Sequence, residues 1–187
     1  MPKKILQKEA LVLRKICHAV PVEEINSPEL HKILKEMKEA LDSQDDGVAI
    51  AAPQIGYAKR IFVVSKRVEN IVKGPKKDPE GKEDVETEKD IVFINPVLKK
   101  VSKEKKTVEE GCLSVRYLYG KVSRSSKATV EAYDEHGKKF TRGGTGLLAQ
   151  IFQHEMDHLD GILFIDKAKY VEEILPENLS KHKNEQK

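Results

Sequence analysis

The apolar residues of this chain change period along its length, and each change marks an element. Leu30, Ile33, Leu34, Met37 and Leu41 recur at helical spacing and predict a helix with one buried face. Ser27-Pro28-Glu29 opens it, supplying a cap, a residue whose φ suits the first turn and an acid beside the helix dipole. The runs Ile61-Phe62-Val63-Val64 and Ile91-Val92-Phe93-Ile94 predict strands, the second ended by Asn95-Pro96. Residues 128–133 and 139–141, joined by Asp134-Glu135-His136-Gly137, predict a hairpin in which His136 is a turn residue. Helical spacing returns at Leu147, Leu148, Ile151, Phe152 and Leu159, with Thr145 as the predicted N-cap and Gly161 as the stop. After Ile162-Leu163-Phe164-Ile165 a short helix is expected to run to Leu175, before Pro176.

This later helix carries the chemistry. His154-Glu155-Met156-Asp157-His158 is an H-E-x-x-H sequence, and both histidines fall on the inward stripe of Leu147 and Ile151. Two imidazoles one turn apart can bind one metal ion, and Glu155 beside them can take a proton from water and return it. On the helix alone, two ordinary buried histidines with hydrogen-bond partners remain an alternative. A catalytic metal commonly needs a third protein ligand. The extended H-E-x-x-H-x-x-G-x-x-H pattern fails because Phe164 stands where its last His belongs. Glu172 or Glu173 can be offered from the charged segment near the end, but Cys112 is the stronger candidate. It follows Gly111, which frees the backbone, and is one of only two thiols. A thiolate with two neutral imidazoles leaves a divalent site with net positive charge, able to acidify water. The other thiol, Cys17, reads as an ordinary apolar or surface residue.

The stretch from Gly47 to Gly56 is rich in small residues and carries a neutral amide, Gln54, near its end. It reads as a tightly packed turn or as backbone that lets a ligand approach, and the Gln54 NH₂ can donate to an oxyanion without titrating. Residues 66–90 are densely charged and broken by Gly-Pro and Asp-Pro pairs, which predicts a solvated surface excursion.

Composition narrows the classes. A chain of 187 residues suits one domain, here 1–187, with residues 177–187 as a flexible polar tail. Charged residues make up 35% but the net charge is only +3, without the basic bias of a dedicated nucleic-acid binder. Aromatic residues are too few for base stacking. No apolar run reaches signal-peptide or membrane-span length, and two cysteines form no disulfide framework, so a cytoplasmic protein is expected, without membrane or specific nucleic-acid partners.

Three segments together resemble the peptide deformylases. That family carries G-x-G-x-A-A-P-Q, E-G-C-L-S and Q-H-E-x-D-H in this order, and here they stand as Gly47 to Gln54, Glu110 to Ser114 and Gln153 to His158. The last two match completely, and the resemblance covers roughly residues 5 to 168. It implies an α+β fold whose antiparallel β-sheets wrap around a central helix bearing H-E-x-x-H, with an N-terminal helix and the short C-terminal one. It also implies a hydrolase that removes the N-formyl group from the initiator methionine of new polypeptides and releases formate. Carried onto this chain, Cys112, His154 and His158 bind the metal, usually Fe²⁺ with Zn²⁺, Ni²⁺ or Co²⁺ able to substitute. Glu155 is the acid and base, Gln54 and the Leu113 N–H hold the formyl oxygen, and Glu110 pairs with Arg124. Val48, Ile151 and the backbone near Gly47 are expected around the methionine side chain. Transient contact with the ribosome is expected as well, through the lysines of the tail.

Three positions depart from the family pattern. Ala49 stands in place of a Gly, and Arg116 and Ser123 in place of prolines. Arg116 or Lys121 is expected to meet the peptide beyond the methionine. Two other classes fit less of the sequence: a different H-E-x-x-H peptidase with a downstream acid, and a non-catalytic ribosome-associated protein with a structural metal.

Overall fold

A computed structural model describes residues 1–73 and 89–178 of the chain. The first long helix, α1, spans Pro28–Asp42 and starts as the sequence predicts, with Ser27 Oγ accepting from the Leu30 N–H at 3.2 Å. Strand β1, Ala49–Ala51, runs into a single 3₁₀ turn at Ala52–Ile55, and strand β2 follows at Ile61–Val64. Helix α2, Lys66–Lys73, comes next, and then strands β3, Ile91–Val101, and β4, Lys105–Gly111. Strands β5, Leu118–Ser125, β6, Lys127–Tyr133, and β7, Lys139–Thr145, lead into helix α3, Gly146–Leu159, and strand β8, Lys169–Glu173.

The strands form two antiparallel sheets, a five-stranded one in the order β1-β2-β3-β6-β7 and a three-stranded one in the order β4-β5-β8. Helix α3 touches both, packing on β1, β2, β3, β6 and β7 of the first and on β5 of the second. The fold is α+β with the H-E-x-x-H helix held between two sheets.

Why Ile61-Phe62-Val63-Val64 is apolar throughout follows from the pleat. Ile61 and Val63 join the cluster around α1, while Phe62 and Val64 join the cluster around α3. A strand covered on both faces has no polar side to show. Phe62 stacks on Phe93 with centroids 4.5 Å apart, and Phe152 of α3 meets Phe93 edge-on at 5.4 Å. Burying each ring contributes about 2–3 kcal/mol, and each ring pair about 1 more. A third cluster of Leu13, Val115, Val122, Leu163 and Phe164 lies beside the smaller sheet.

Several expectations are corrected. Asn95-Pro96 does not end its strand, because β3 passes through a register shift between Ile94 and Val97 and continues. Asn95 takes a left-handed conformation, φ 50°, and its amide donates to the Val20 carbonyl and accepts from the Val20 N–H, both at 2.7 Å. Pro96 lacks an N–H and therefore fits where the ladder is interrupted. Thr145 makes no side-chain cap to α3, although Gly161 stops the helix with φ 74°. A Cβ at Gly161 would lie 2.8 Å from the Arg14 carbonyl, so glycine is required by both conformation and space.

The short helix expected up to Leu175 is strand β8 instead, paired with β5. Tyr170 and Val171 suit a strand, and the open edge of β5 offers backbone partners that an isolated turn of helix would lack. One 3₁₀ turn follows at Pro176–Asn178. The charged excursion begins with α2, where Asp90 Oδ1 accepts from the Lys66 N–H at 3.0 Å and Val68 is buried. Residues 74–88 of it, and the tail beyond residue 178, lie outside the described residues.

Candidate metal centre and its cavity

Helix α3 presents His154 and His158 one turn apart, with ring centroids 4.9 Å from each other and planes at 74°. Cys112 comes from the turn that follows β4, and its Sγ lies 3.2 Å from His158 Nε2. One ligand atom from each of Cys112, His154 and His158 lies within 4.8 Å of the other two, and among the described residues no fourth metal-binding side chain joins the group. Glu172 and Glu173 lie exposed on β8, outside it.

The first histidine is fixed from behind. His154 Nδ1 is 3.0 Å from Glu110 Oε2, which leaves Nε2 to face the thiol. Glu110 in turn accepts from Arg124 Nε at 2.7 Å and Nη2 at 2.9 Å, and Arg124 Nη1 donates to Asp157 Oδ2 at 2.7 Å. Lys167 Nζ reaches the other oxygen of Asp157 at 2.6 Å. Burial alone would raise the Glu110 carboxyl, but hydrogen bonds from Arg124 and His154 outweigh it and hold it at about 2. Burial likewise works against a proton on His154, yet the contacts with Cys112 and Glu110 raise its pKa well above the ordinary value. His158 goes the other way, pushed well below the usual range by burial and by the neighbouring His154.

Glu155 is 3% exposed, and among the described residues neither its buried Oε2 nor the buried His158 Nδ1 has a hydrogen-bond partner. Burial pushes the Glu155 carboxyl up to about 7. A sulfur and two imidazoles within reach of one another are the donor set of a borderline divalent cation, and the Glu155 oxygen stands beside them. The residues fit a metal.

A cavity of about 400 Å³ opens over this group. Its walls include Val48 and Ala49 beside the edge of the larger sheet, Glu109, Glu110 and Gly111 from the edge of the smaller one, and Ile151 of α3. Gln54 and Leu113 line it too. The Gln54 Oε1 accepts from the Ala51 N–H at 2.8 Å, which turns Nε2 toward Ser114 Oγ at 3.1 Å and Cys112 Sγ at 3.7 Å. Gly47 does not line the cavity, since a Cβ there would meet Leu41 Cδ1 at 2.9 Å. Gly111 serves by leaving space rather than by freeing the backbone, because the Tyr119 ring lies where its Cβ would be, at 2.7 Å. Arg116 sits at the rim with Asp46, while Lys121 does not line the cavity.

Sequence reasoning missed Gln7, Asp46 and Asp157. Gln7 Nε2 holds the Leu113 carbonyl at 3.0 Å and its Oε1 accepts from the Arg116 N–H at 3.3 Å, so the N-terminal segment staples the cysteine turn. Nothing local in the sequence signals that contact. Asp157 stands inside the H-E-x-x-H stretch, but nothing in its spacing pairs it with Arg124 or Lys167.

The profile of the polypeptide deformylase family matches residues 2–173. The chain belongs to the polypeptide deformylase family. It is 39% identical to peptide deformylase 2 of Clostridium acetobutylicum over 164 residues, 88% of this chain and 93% of that protein. The actinonin-bound class I type b peptide deformylase of Acinetobacter baumannii superposes with a TM-score of 0.74 at 30% identity, covering 90% of this chain and 99% of that one. The same enzyme with Met-Ala-Ser bound gives 0.73 at 29% identity, covering 89% and 98%. As a peptide deformylase the chain is a metal-dependent hydrolase that removes the formyl group from N-terminal methionine, with formate as the other product. No helix among the described residues is long and apolar enough to cross a membrane.

Proposed function

We propose that Cys112, His154 and His158 hold one divalent cation, Fe²⁺ in the cell with Zn²⁺, Ni²⁺ or Co²⁺ able to replace it, and that Glu155 carries the proton of the deformylation. The supporting observation is the buried Glu155 carboxylate, with an oxygen that has no partner among the described residues, on the same helix as two inward imidazoles and within the cavity that the Cys112 turn lines. A cation held there supplies Lewis acidity. Glu155 takes the proton of the attacking water and returns it to the departing amine, a task that its elevated pKa suits near neutrality. Gln54 Nε2, aimed by the Ala51 N–H, and the Leu113 N–H donate to the oxygen that gains charge as the formyl carbon becomes tetrahedral. Glu110 and Arg124 hold His154 in the tautomer that points Nε2 into the group.

The substrate is an N-formylmethionyl nascent peptide. Its methionine side chain lies against Val48 and Ile151, and its extended backbone runs between the edge strands β1 and β4, whose residues flank the cavity. The chain acts as one catalytic domain in the cytoplasm and meets the ribosome transiently. The test is formate release from formyl-Met-Ala-Ser by protein loaded anaerobically with Fe²⁺ or Zn²⁺, beside Glu155→Gln. Turnover that Glu155→Gln removes is expected, and undiminished turnover in that variant overturns the assignment of Glu155.

A further inference from the structure

The formyl end of a substrate must reach Glu155 and Gln54, which are 3% and 2% exposed, so the rest of the polypeptide leaves the cavity past its rim. The ionised side chains on that rim are Asp46, Glu109 and Arg116. Arg116 Nη1 and Nη2 donate to the two oxygens of Asp46 at 2.6 and 3.0 Å, and Nη2 also donates to Gln44 Oε1 at 3.0 Å. The pair joins the loop that precedes β1 to the turn that carries Cys112, one from each side of the cavity. Its partners are 24% and 49% exposed, open enough for a passing charge to compete.

We infer that the Arg116–Asp46 pair sets which charged residues are accepted after the methionine, by charge exchange at the mouth. This rests on the deformylase reading. An acidic residue downstream takes the guanidinium from Asp46, whereas a basic one takes the carboxylate from Arg116. With both partners present their two charges offset each other, and removing either shifts the charge of the rim by one unit while Glu109 stays in place. Exposed pairs of this kind are worth up to about 1 kcal/mol, or about fivefold in kcat/KM, and salt screens them.

The experiment measures formate release from formyl-Met-Ala-Glu, formyl-Met-Ala-Ser and formyl-Met-Ala-Lys by the metal-loaded wild type, Asp46→Asn and Arg116→Met. The acidic-to-basic ratio of kcat/KM within one preparation does not depend on how much of it is folded or loaded. Asp46→Asn is expected to raise this ratio about fivefold and Arg116→Met to lower it about as much, both effects shrinking in high salt. Turnover of all three peptides with the ratio unchanged in both variants overturns the inference while leaving the deformylase reading intact. Absence of turnover by the wild type on the serine peptide overturns both.

Discussion

Glu110 and Arg124 meet through both carboxylate oxygens, with Nε at 2.7 Å from one and Nη2 at 2.9 Å from the other, and this pair is almost wholly out of water. Because Glu110 Oε2 also faces His154 Nδ1, the ion pair couples the smaller sheet to helix α3 and to the candidate metal centre. Asp157 and Lys167 extend the same chain of contacts toward the surface.

Removing one side of that pair strands the other. In metal-free protein at neutral pH, Arg124→Met is expected to lose about 3–5 kcal/mol of stability, because the Glu110 charge stays buried without its partner. Urea unfolding measures it. The folded state holds the Glu110 carboxyl at about 2. The unfolded value is about 4.3. The contribution is therefore complete above the unfolded value and is lost as pH falls from there toward the folded one. The gap between wild type and variant should close over the same acid range.

Glu155→Gln keeps the shape of the side chain and removes its basicity. Turnover is expected to fall by about 10²–10⁴-fold with metal content unchanged. In the wild type the working form is the carboxylate, so kcat/KM should drop on the acid side as Glu155 takes up a proton. Burial places that step at about 7, and a cation beside it moves the step lower. Rate profiles against pH with matched metal analyses check both points.

Gln54→Ala removes a donor aimed at the cavity and should lower kcat by about 10²–10³-fold with a smaller effect on KM. Steady-state kinetics on formyl-Met-Ala-Ser separate the two. An equal loss in binding alone would assign Gln54 to holding the ground state.

Cys17 and Cys112 should differ in reactivity. Burial pushes the Cys17 thiol up to about 11, and the side chain is 3% exposed in the α3 cluster. Iodoacetamide is expected to modify Cys112 once a chelator is present and to leave Cys17 untouched in folded protein, as peptide mass mapping will report. The folded Cys17 pKa lies above its unfolded value of about 8.5. Stability is thus unaffected below that value and falls as pH climbs through it toward the folded one, a decline that Cys17→Ala should lessen.

The two signals of helix α1, its stripe and its cap, lie within a few residues of each other, and the hairpin of β6 and β7 is equally local. Both could be read directly from the chain. The motif segments also point to Cys112, His154 and His158, whose ligand atoms lie within 4.8 Å of one another, whereas Gly47 of the first motif stays away from the cavity. Elsewhere distant partners decided the structure. Strand β8 exists because β5 offers an edge, α2 starts where Asp90 meets it from the far end of the excursion, and Asn95 turns because Val20 binds its amide. The Arg116–Asp46 and Gln7–Leu113 contacts join residues far apart in sequence and leave no period or spacing to detect.

The assignment of sulfur to the metal is open to direct measurement by the electronic spectrum of the Co²⁺-loaded protein. A cobalt ion bound by Cys112, His154 and His158 should show an intense thiolate-to-metal charge-transfer band at one equivalent, and Cys112→Ser should lose it. A wild-type spectrum without that band, or one that survives the loss of Cys112, would contradict the proposed centre.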